Sequence, residues 1–142
     1  MNVQRICFLG TRTGSFEPTA ALFRDVLGLD NPHAEPGWSV FRLPSGRRDF
    51  VEVFGPENRN ASLFPTEVSD GTVVAFAVDD IAGAREELAA AGIELIGDLV
   101  WAADLFENPD MEGFGWFFFR GPDANIYAMQ QDAPASREAT GT

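Results

Sequence analysis

Residues 75–95 read AFAVDDIAGAREELAAAGIEL, and the chemistry along them runs in the order strand, capped helix, strand. Thr72 to Val78 alternates as a half-buried strand does. Asp80 stands where a carboxylate accepts from the free N–H groups of a helix start. The helix predicted from it runs to Ala91, and Gly92 comes next, where left-handed backbone ends a helix. Ile93 to Trp101 resumes strand composition, and Trp116 to Arg120 with Asn125 to Gln130 flank GPDA as a predicted hairpin.

The first half repeats that order. Val3 to Leu9 is a short apolar strand ending at Gly10. From Ser15 to Leu27, the spacing of Phe16, Ala20, Phe23, Val26 and Leu27 predicts one apolar helix face, closed by Gly28. GLDNPHAEPG, residues 28–37, is turn-rich and poor in strand formers. Trp38 to Leu43 and Asp49 to Phe54 then flank PSGRR as a second predicted hairpin. LFRDVLGL in the first helix matches AREELAAAG in the second, so an internal duplication is the economical account. Two copies make a closed pseudo-symmetric domain rather than a solenoid. The expected organisation is one domain over 1–132, with module one at 1–56, a polar linker at 57–71 and module two at 72–132. The tail, 133–142, has no apolar anchor and is expected to be disordered.

At 142 residues the chain is long enough for one hydrophobic core and too short for two independent ones. No apolar run approaches the roughly 20 residues of a membrane helix, and the start, MNVQRICFLGTRTG, shows no signal-peptide core. A soluble cytoplasmic protein is the expectation. The 22 acidic against 10 basic side chains give a net charge of −12, a field that repels nucleic acid and anionic membranes. The single cysteine, Cys7, excludes an intrachain disulfide and a thiolate zinc cluster, and its apolar run reads as buried and structural.

ALFRDVLGL (21–29), AFAVDDIAGAREELAAAGIEL (75–95) and FFFRGPDANIYAM (117–129) resemble the helix-end, second-module and terminal-hairpin signatures of the vicinal oxygen chelate superfamily. That superfamily includes glyoxalase I, extradiol dioxygenases, fosfomycin-resistance enzymes and bleomycin-resistance proteins. The resemblance implies an α+β fold of two βαβββ modules forming a curved mixed sheet around a cup. In the metal-dependent members four ligands come from the first and last strands of each module. On this chain those positions fall on Phe8, Glu52, Val73 and Ala128. Only Glu52 can bind a metal, and a shift of one residue, to Cys7 or Leu9 and to Thr72 or Val74, does not rebuild a site that needs at least three ligands. Neither metal nor other cofactor is therefore expected. The one histidine, His33, is placed in a solvent-exposed turn away from the cup.

Strand alternation groups Ile6, Phe8 and Gly10 with Phe50, Glu52 and Phe54, with Val73, Ala75 and Ala77, and with Ile126, Ala128 and Gln130. The family register turns Trp38, Val40, Arg42, Trp116 and Phe118 the same way. The candidate ligand-binding residues are thus Phe8, Trp38, Arg42, Phe50, Glu52, Val73, Ala75, Trp101, Trp116, Phe118 and Ala128, with none assigned as catalytic. For Trp38 and Trp116, pocket wall and plain core both stay open. Glu52 reads as a recognition group, as a general base with a raised pKa, or as a remnant of a metal site, with Arg42 or a ligand amine as its cationic partner. The stretch WAADLFENPDMEGFGW (101–116) is an irregular acidic loop of a length often used as a lid.

The function expected is metal-independent binding of an aromatic or amphipathic natural product or antibiotic, as the bleomycin-resistance resemblance implies. The alternative is a metal-independent isomerase, epimerase or cyclase with Glu52 as base. A third reading is a regulatory module whose cup is filled by its own side chains. A homodimer is expected, because open sheet edges are usually buried by pairing.

Overall fold

The computed structural model describes residues 1–45, 47–60, 63–64 and 70–132. The chain divides into two compact units, one of Cys7–Val74 and one of Met1–Ile6 with Ala75 onward. The expected tail at 133–142 lies outside the described residues, as do 61–62 and 65–69 of the expected linker.

In the first unit, strands β1 (Val3–Arg12), β2 (Asp30–Glu35), β3 (Trp38–Arg42) and β4 (Phe50–Phe54) lie in the order β2-β3-β4-β1. β1 pairs parallel to β4, while β2 with β3 and β3 with β4 are antiparallel, so the sheet is mixed. A parallel neighbour requires a crossover, and the helical segment after β1 supplies it. One face of this sheet carries Phe41 and Val53, fully buried against Ala20 and packed by Phe16, Phe23 and Leu29. Phe23 meets Phe41 edge-on at 5.5 Å. Burying a phenylalanine this completely contributes about 1.5–3 kcal/mol.

The crossover departs from the predicted helix. α1 (Phe16–Ala21) lasts six residues and then widens into a turn of π-helix over Leu22–Val26. The bond from Leu27 N–H to the Leu22 carbonyl, 2.9 Å, spans five residues instead of four. The extra residue in the turn rotates the end of the segment away from the sheet. Val26 and Leu27, assigned by periodicity to the buried face, are exposed, Val26 by 75%. Gly28 ends the segment at φ 66°, as its position predicts.

A second departure is β2 itself, which occupies the stretch read as turn. Pro32 removes a ladder donor, but β2 is an edge strand of this unit, where proline is tolerated. The pairing is irregular between Asp30 and His33, and Asn31 bridges the gap by donating Nδ2 to the His33 and Val40 carbonyls, both at 2.8 Å.

In the second unit, the Ala75–Val78 part of β5 (Gly71–Val78) runs with β6 (Glu94–Trp101), β7 (Gly115–Arg120) and β8 (Ile126–Gln131) in the order β5-β8-β7-β6. β6/β7 and β7/β8 are antiparallel. α2 (Ile81–Ala90) is regular, capped by Asp80 Oδ1 accepting from Gly83 N–H at 3.1 Å, with Gly92 at φ 79° beyond it. Ile81, Ala84, Val78, Phe117, Phe119 and Met129 form the core under α2. The acidic stretch after β6, expected to be irregular, holds a helical turn α3 (Ala102–Leu105) and a 3₁₀ turn at Pro109–Met111 started by Asn108. The βαβββ order that the sequence repeats is therefore present in both halves. Among the described residues no helix is long and apolar enough to cross a membrane.

Candidate functional site

Antiparallel partners directly opposite each other share a face. The register His33↔Val40, Val40↔Glu52 and Glu52↔Gly10 lays one row across all four strands of the first unit. The next row is Glu35↔Trp38, Trp38↔Phe54 and Phe54↔Arg12. Glu52, Trp38, Val40, Phe50, Phe54 and Phe8 therefore share the face opposite the helix. Alternation assigned Phe8, Phe50, Glu52 and Phe54 to this face, and the family register assigned Trp38 and Val40 to it. Val73 adjoins it, since a Cβ built on Gly10 would stand 3.2 Å from the Val73 Cβ and 2.6 Å from the Phe54 ring. Only glycine allows that ring to lie over β1 beside Glu52.

Glu52 is 7% exposed. Trp38 Nε1–H donates to its Oε1 at 2.8 Å, and among the described residues this is the carboxyl's one hydrogen bond. Burial pushes the carboxyl up to about 7, with the Trp38 bond pulling the other way. Near neutral pH such a group divides between a charged acceptor and a neutral acid. Phe8 and Phe54 tilt together at 6.3 Å beside it. Arg42, expected as its cationic partner, is instead exposed, bonds Asp30 at 3.2 Å and lies over the Phe50 ring at 5.9 Å.

His33 corrects the sequence reading most. It lies on β2, on the Glu52 face, with its ring 4.4 Å from that of Trp38. Its Nε2 is 2.8 Å from Glu35 Oε1, and Arg59 Nε donates to Glu35 Oε2 at 2.8 Å. The signal for this was the period-two spacing of Asn31, His33 and Glu35, masked by proline and by the polarity of the segment.

In the second unit, Trp116↔Gln130 and Phe118↔Ala128 share a face. Ala128 and Ala75 are fully buried, while Ile6, grouped with Phe8 by alternation, is 55% exposed. Trp101 pairs with Gly115 and packs on the α2 core, on the face opposite Trp116 and Phe118. It lines a cavity of about 570 Å³ with Asp104, Glu107, Glu112 and Gln131, away from Glu52. Gln130, which alternation grouped with Ala128, and Asp132, which the sequence reading did not name, are buried and joined at 3.0 Å, and Arg5 bonds Asp132 at 2.5 Å.

The donor set does not fit a divalent metal. Phe8 and Val73 offer only carbon, Ala128 likewise, and Glu52 already accepts from an indole N–H. Among the described residues no three His, Cys, Asp or Glu side chains are grouped to hold an ion.

The two βαβββ modules define the fold of the glyoxalase, bleomycin-resistance and dioxygenase superfamily. Methylmalonyl-CoA epimerase from Mycobacterium tuberculosis matches with a TM-score of 0.64 at 15% identity, over 96% of this chain and 93% of that one. The Mn(II)-bound glyoxalase from Novosphingobium aromaticivorans matches with 0.63 at 20% identity, over 92% of this chain and 39% of that one. A glyoxalase/bleomycin resistance protein/dioxygenase superfamily member from Vibrio splendidus 12B01 matches with 0.57 at 18% identity, over 93% and 100%. At these identities the likeness establishes the fold alone. The sequence matches no family model and no curated protein.

Proposed function

We propose that this protein binds an apolar or aromatic small molecule, without a metal, through the Glu52 face of its first module. The observation that carries this is a carboxyl 7% exposed whose one hydrogen bond among the described residues comes from Trp38. A carboxylate so placed is costly until a donor meets its second oxygen. The ligand class is an aromatic or amphipathic natural product, an antibiotic included, bearing an amine or another donor for Glu52. Phe8, Phe50 and Trp38 supply contact area, and aromatic pairs add about 0.5–1.5 kcal/mol each beyond it.

The test is a thermal-stabilisation screen against aromatic amines and natural products. A ligand at a hundred times its Kd adds about 2.7 kcal/mol of stability. The expected result is stabilisation by amine-bearing aromatics that Glu52→Gln abolishes. Stabilisation unchanged in that variant would overturn the assignment.

A second reading rests on the same carboxyl titrating at about 7, where proton transfer is efficient. On it the protein is a metal-independent isomerase, epimerase or cyclase with Glu52 as general base, and epimerases are among its structural neighbours. Turnover of a bound ligand, lost in Glu52→Gln while binding persists, separates this reading from the first.

A further inference from the structure

We infer that His33, tied to Glu35, is a positioning residue of this site: its imidazole, packed on the Trp38 indole, sets the direction of the N–H that Trp38 gives to Glu52. The inference rests on the reading of Glu52 as the ligand's partner and adds the device that holds it ready. An indole half-buried at the end of β3 can swing about two torsions, and a hydrogen bond weakens steeply as its angle opens. Something must fix the ring. On the β2 side the His33 ring lies 4.4 Å away at a tilt of 52°.

His33 is itself held. Its Nε2 meets Glu35 Oε1 at 2.8 Å, and the other Glu35 oxygen accepts from Arg59 Nε at 2.8 Å. Arg59 reaches Glu35 because the turn between β2 and β3 packs on the segment after β4. Gly37, at φ 76°, lets Asn58 approach so closely that a Cβ at 37 would collide with its backbone nitrogen. Gly55 N–H donates to the Gly37 carbonyl at 2.9 Å and locks the two turns together. A continuous chain of contacts therefore runs Arg59, Glu35, His33, Trp38, Glu52, all within the first unit. The helix-side core does not require it: Ser39 and Phe41 point the other way from Trp38. A polar chain of this kind at the surface end of an apolar face is positioning for the group at its buried end.

The titratable and charged groups on the strands beside that chain include Asp30, His33 and Glu35 on β2, Arg42 on β3 and Arg12 on β1. Arg42 is engaged by Asp30, and Arg12 Nη1 donates to the Leu63 carbonyl at 2.9 Å. The group that reaches Glu52 directly is Trp38.

The test needs no ligand. Three tryptophans give three indole N–H signals in a nitrogen–proton correlation spectrum, with Trp101 and Trp116 as internal controls for folding. In the native protein the Trp38 signal follows the titration of its acceptor, Glu52. In His33→Ala that signal moves toward the solvent-exposed position and loses most of its pH-dependent shift, while those of Trp101 and Trp116 stay in place. Glu35→Ala, which cuts the tie and leaves the ring, shifts the Trp38 signal in the same direction as His33→Ala and serves alone should His33→Ala fail to fold. His33→Phe, which keeps a ring but likewise lacks the tie, gives the Glu35→Ala signal rather than the native one. A Trp38 signal and titration unchanged in His33→Ala, or in Glu35→Ala where that serves alone, overturns the inference, as does a fully native signal in His33→Phe. A negative ligand screen with these shifts present would instead count against the binding reading alone.

Discussion

The two modules place a tryptophan at equivalent points and differ in what lies beside it. Aligning Glu52 with Ala128, the hairpin registers set Val40 against Phe118 and Trp38 against Trp116. In module one the indole N–H finds a buried carboxyl. In module two that position is an alanine with no exposed surface, and Trp116 packs on Phe114 at 5.3 Å. Their helices differ in the same sense. Module two has a regular, side-chain-capped α2, whereas α1 lacks a side-chain cap and gives way to a π turn, an irregularity common near functional sites. At this position one module is filled by apolar packing. The other keeps a polar group that packing alone does not call for.

The strongest way to break this contrast is to put a carboxyl where module two has none. Ala128→Glu should destabilise the protein by about 4 kcal/mol at pH 8, since it crowds a filled site and buries a charge without a donor. Denaturant unfolding measures this, and a loss under about 1 kcal/mol would mean that the second module has room for the group it lacks.

Glu52 itself makes the next prediction. Its carboxyl rises from 4.5 to about 7 on folding, so between those values the folded state holds more protons than the unfolded one. The contribution of this group to stability is then greatest below 4.5, falls as pH rises, and by pH 8 is lower by about 3 kcal/mol. Glu52→Gln should remove that fall, so the difference between variant and native unfolding free energies carries the slope. Equal slopes in the two proteins would contradict the burial argument.

Smaller effects separate the two tryptophans and the two helices. Trp38→Phe removes the indole donor and should raise the Glu52 midpoint further, while Trp116→Phe leaves it in place. Asp80→Ala should cost about 1 kcal/mol as a lost cap, whereas Ser15→Ala, which removes no cap bond, should change stability by less than about 0.5 kcal/mol. Carboxyl titration followed by NMR checks the first pair, and thermal unfolding checks the second.

The differences between expectation and structure have the same physical origin as this contrast. Alternation along β4 together with the family register was enough to place Trp38, Val40 and Arg42 on the face of Glu52, because a strand flanked by apolar neighbours tolerates only one register. Asp80 and Gly92 marked α2 because each satisfies backbone groups that only a helix end leaves open. β2 was hidden, since an edge strand needs neither apolar alternation nor every N–H, so Pro32 and its polar neighbours looked like turn. The π turn was hidden too, because the periodicity of residues 16–27 carries no record of an inserted residue in the hydrogen-bond ladder. Arg42 shares the Glu52 face but turns its guanidinium to Asp30, and the β6 register takes Trp101 to the opposite face. His33 and Glu35 were lost with β2.

The protonation of Glu52 in the free protein is the most direct test of a buried carboxyl waiting for a donor. Carbon-13 spectroscopy of the glutamate side-chain carboxyls, with the Glu52 resonance assigned by Glu52→Gln, reads that midpoint in the ligand-free protein and again with an aromatic amine bound. The expected midpoint is about 7 in the free protein, falling on binding as a cation meets the open oxygen. A midpoint at the ordinary 4.5 in the free protein, or one that binding leaves unmoved, would contradict this reading of the site.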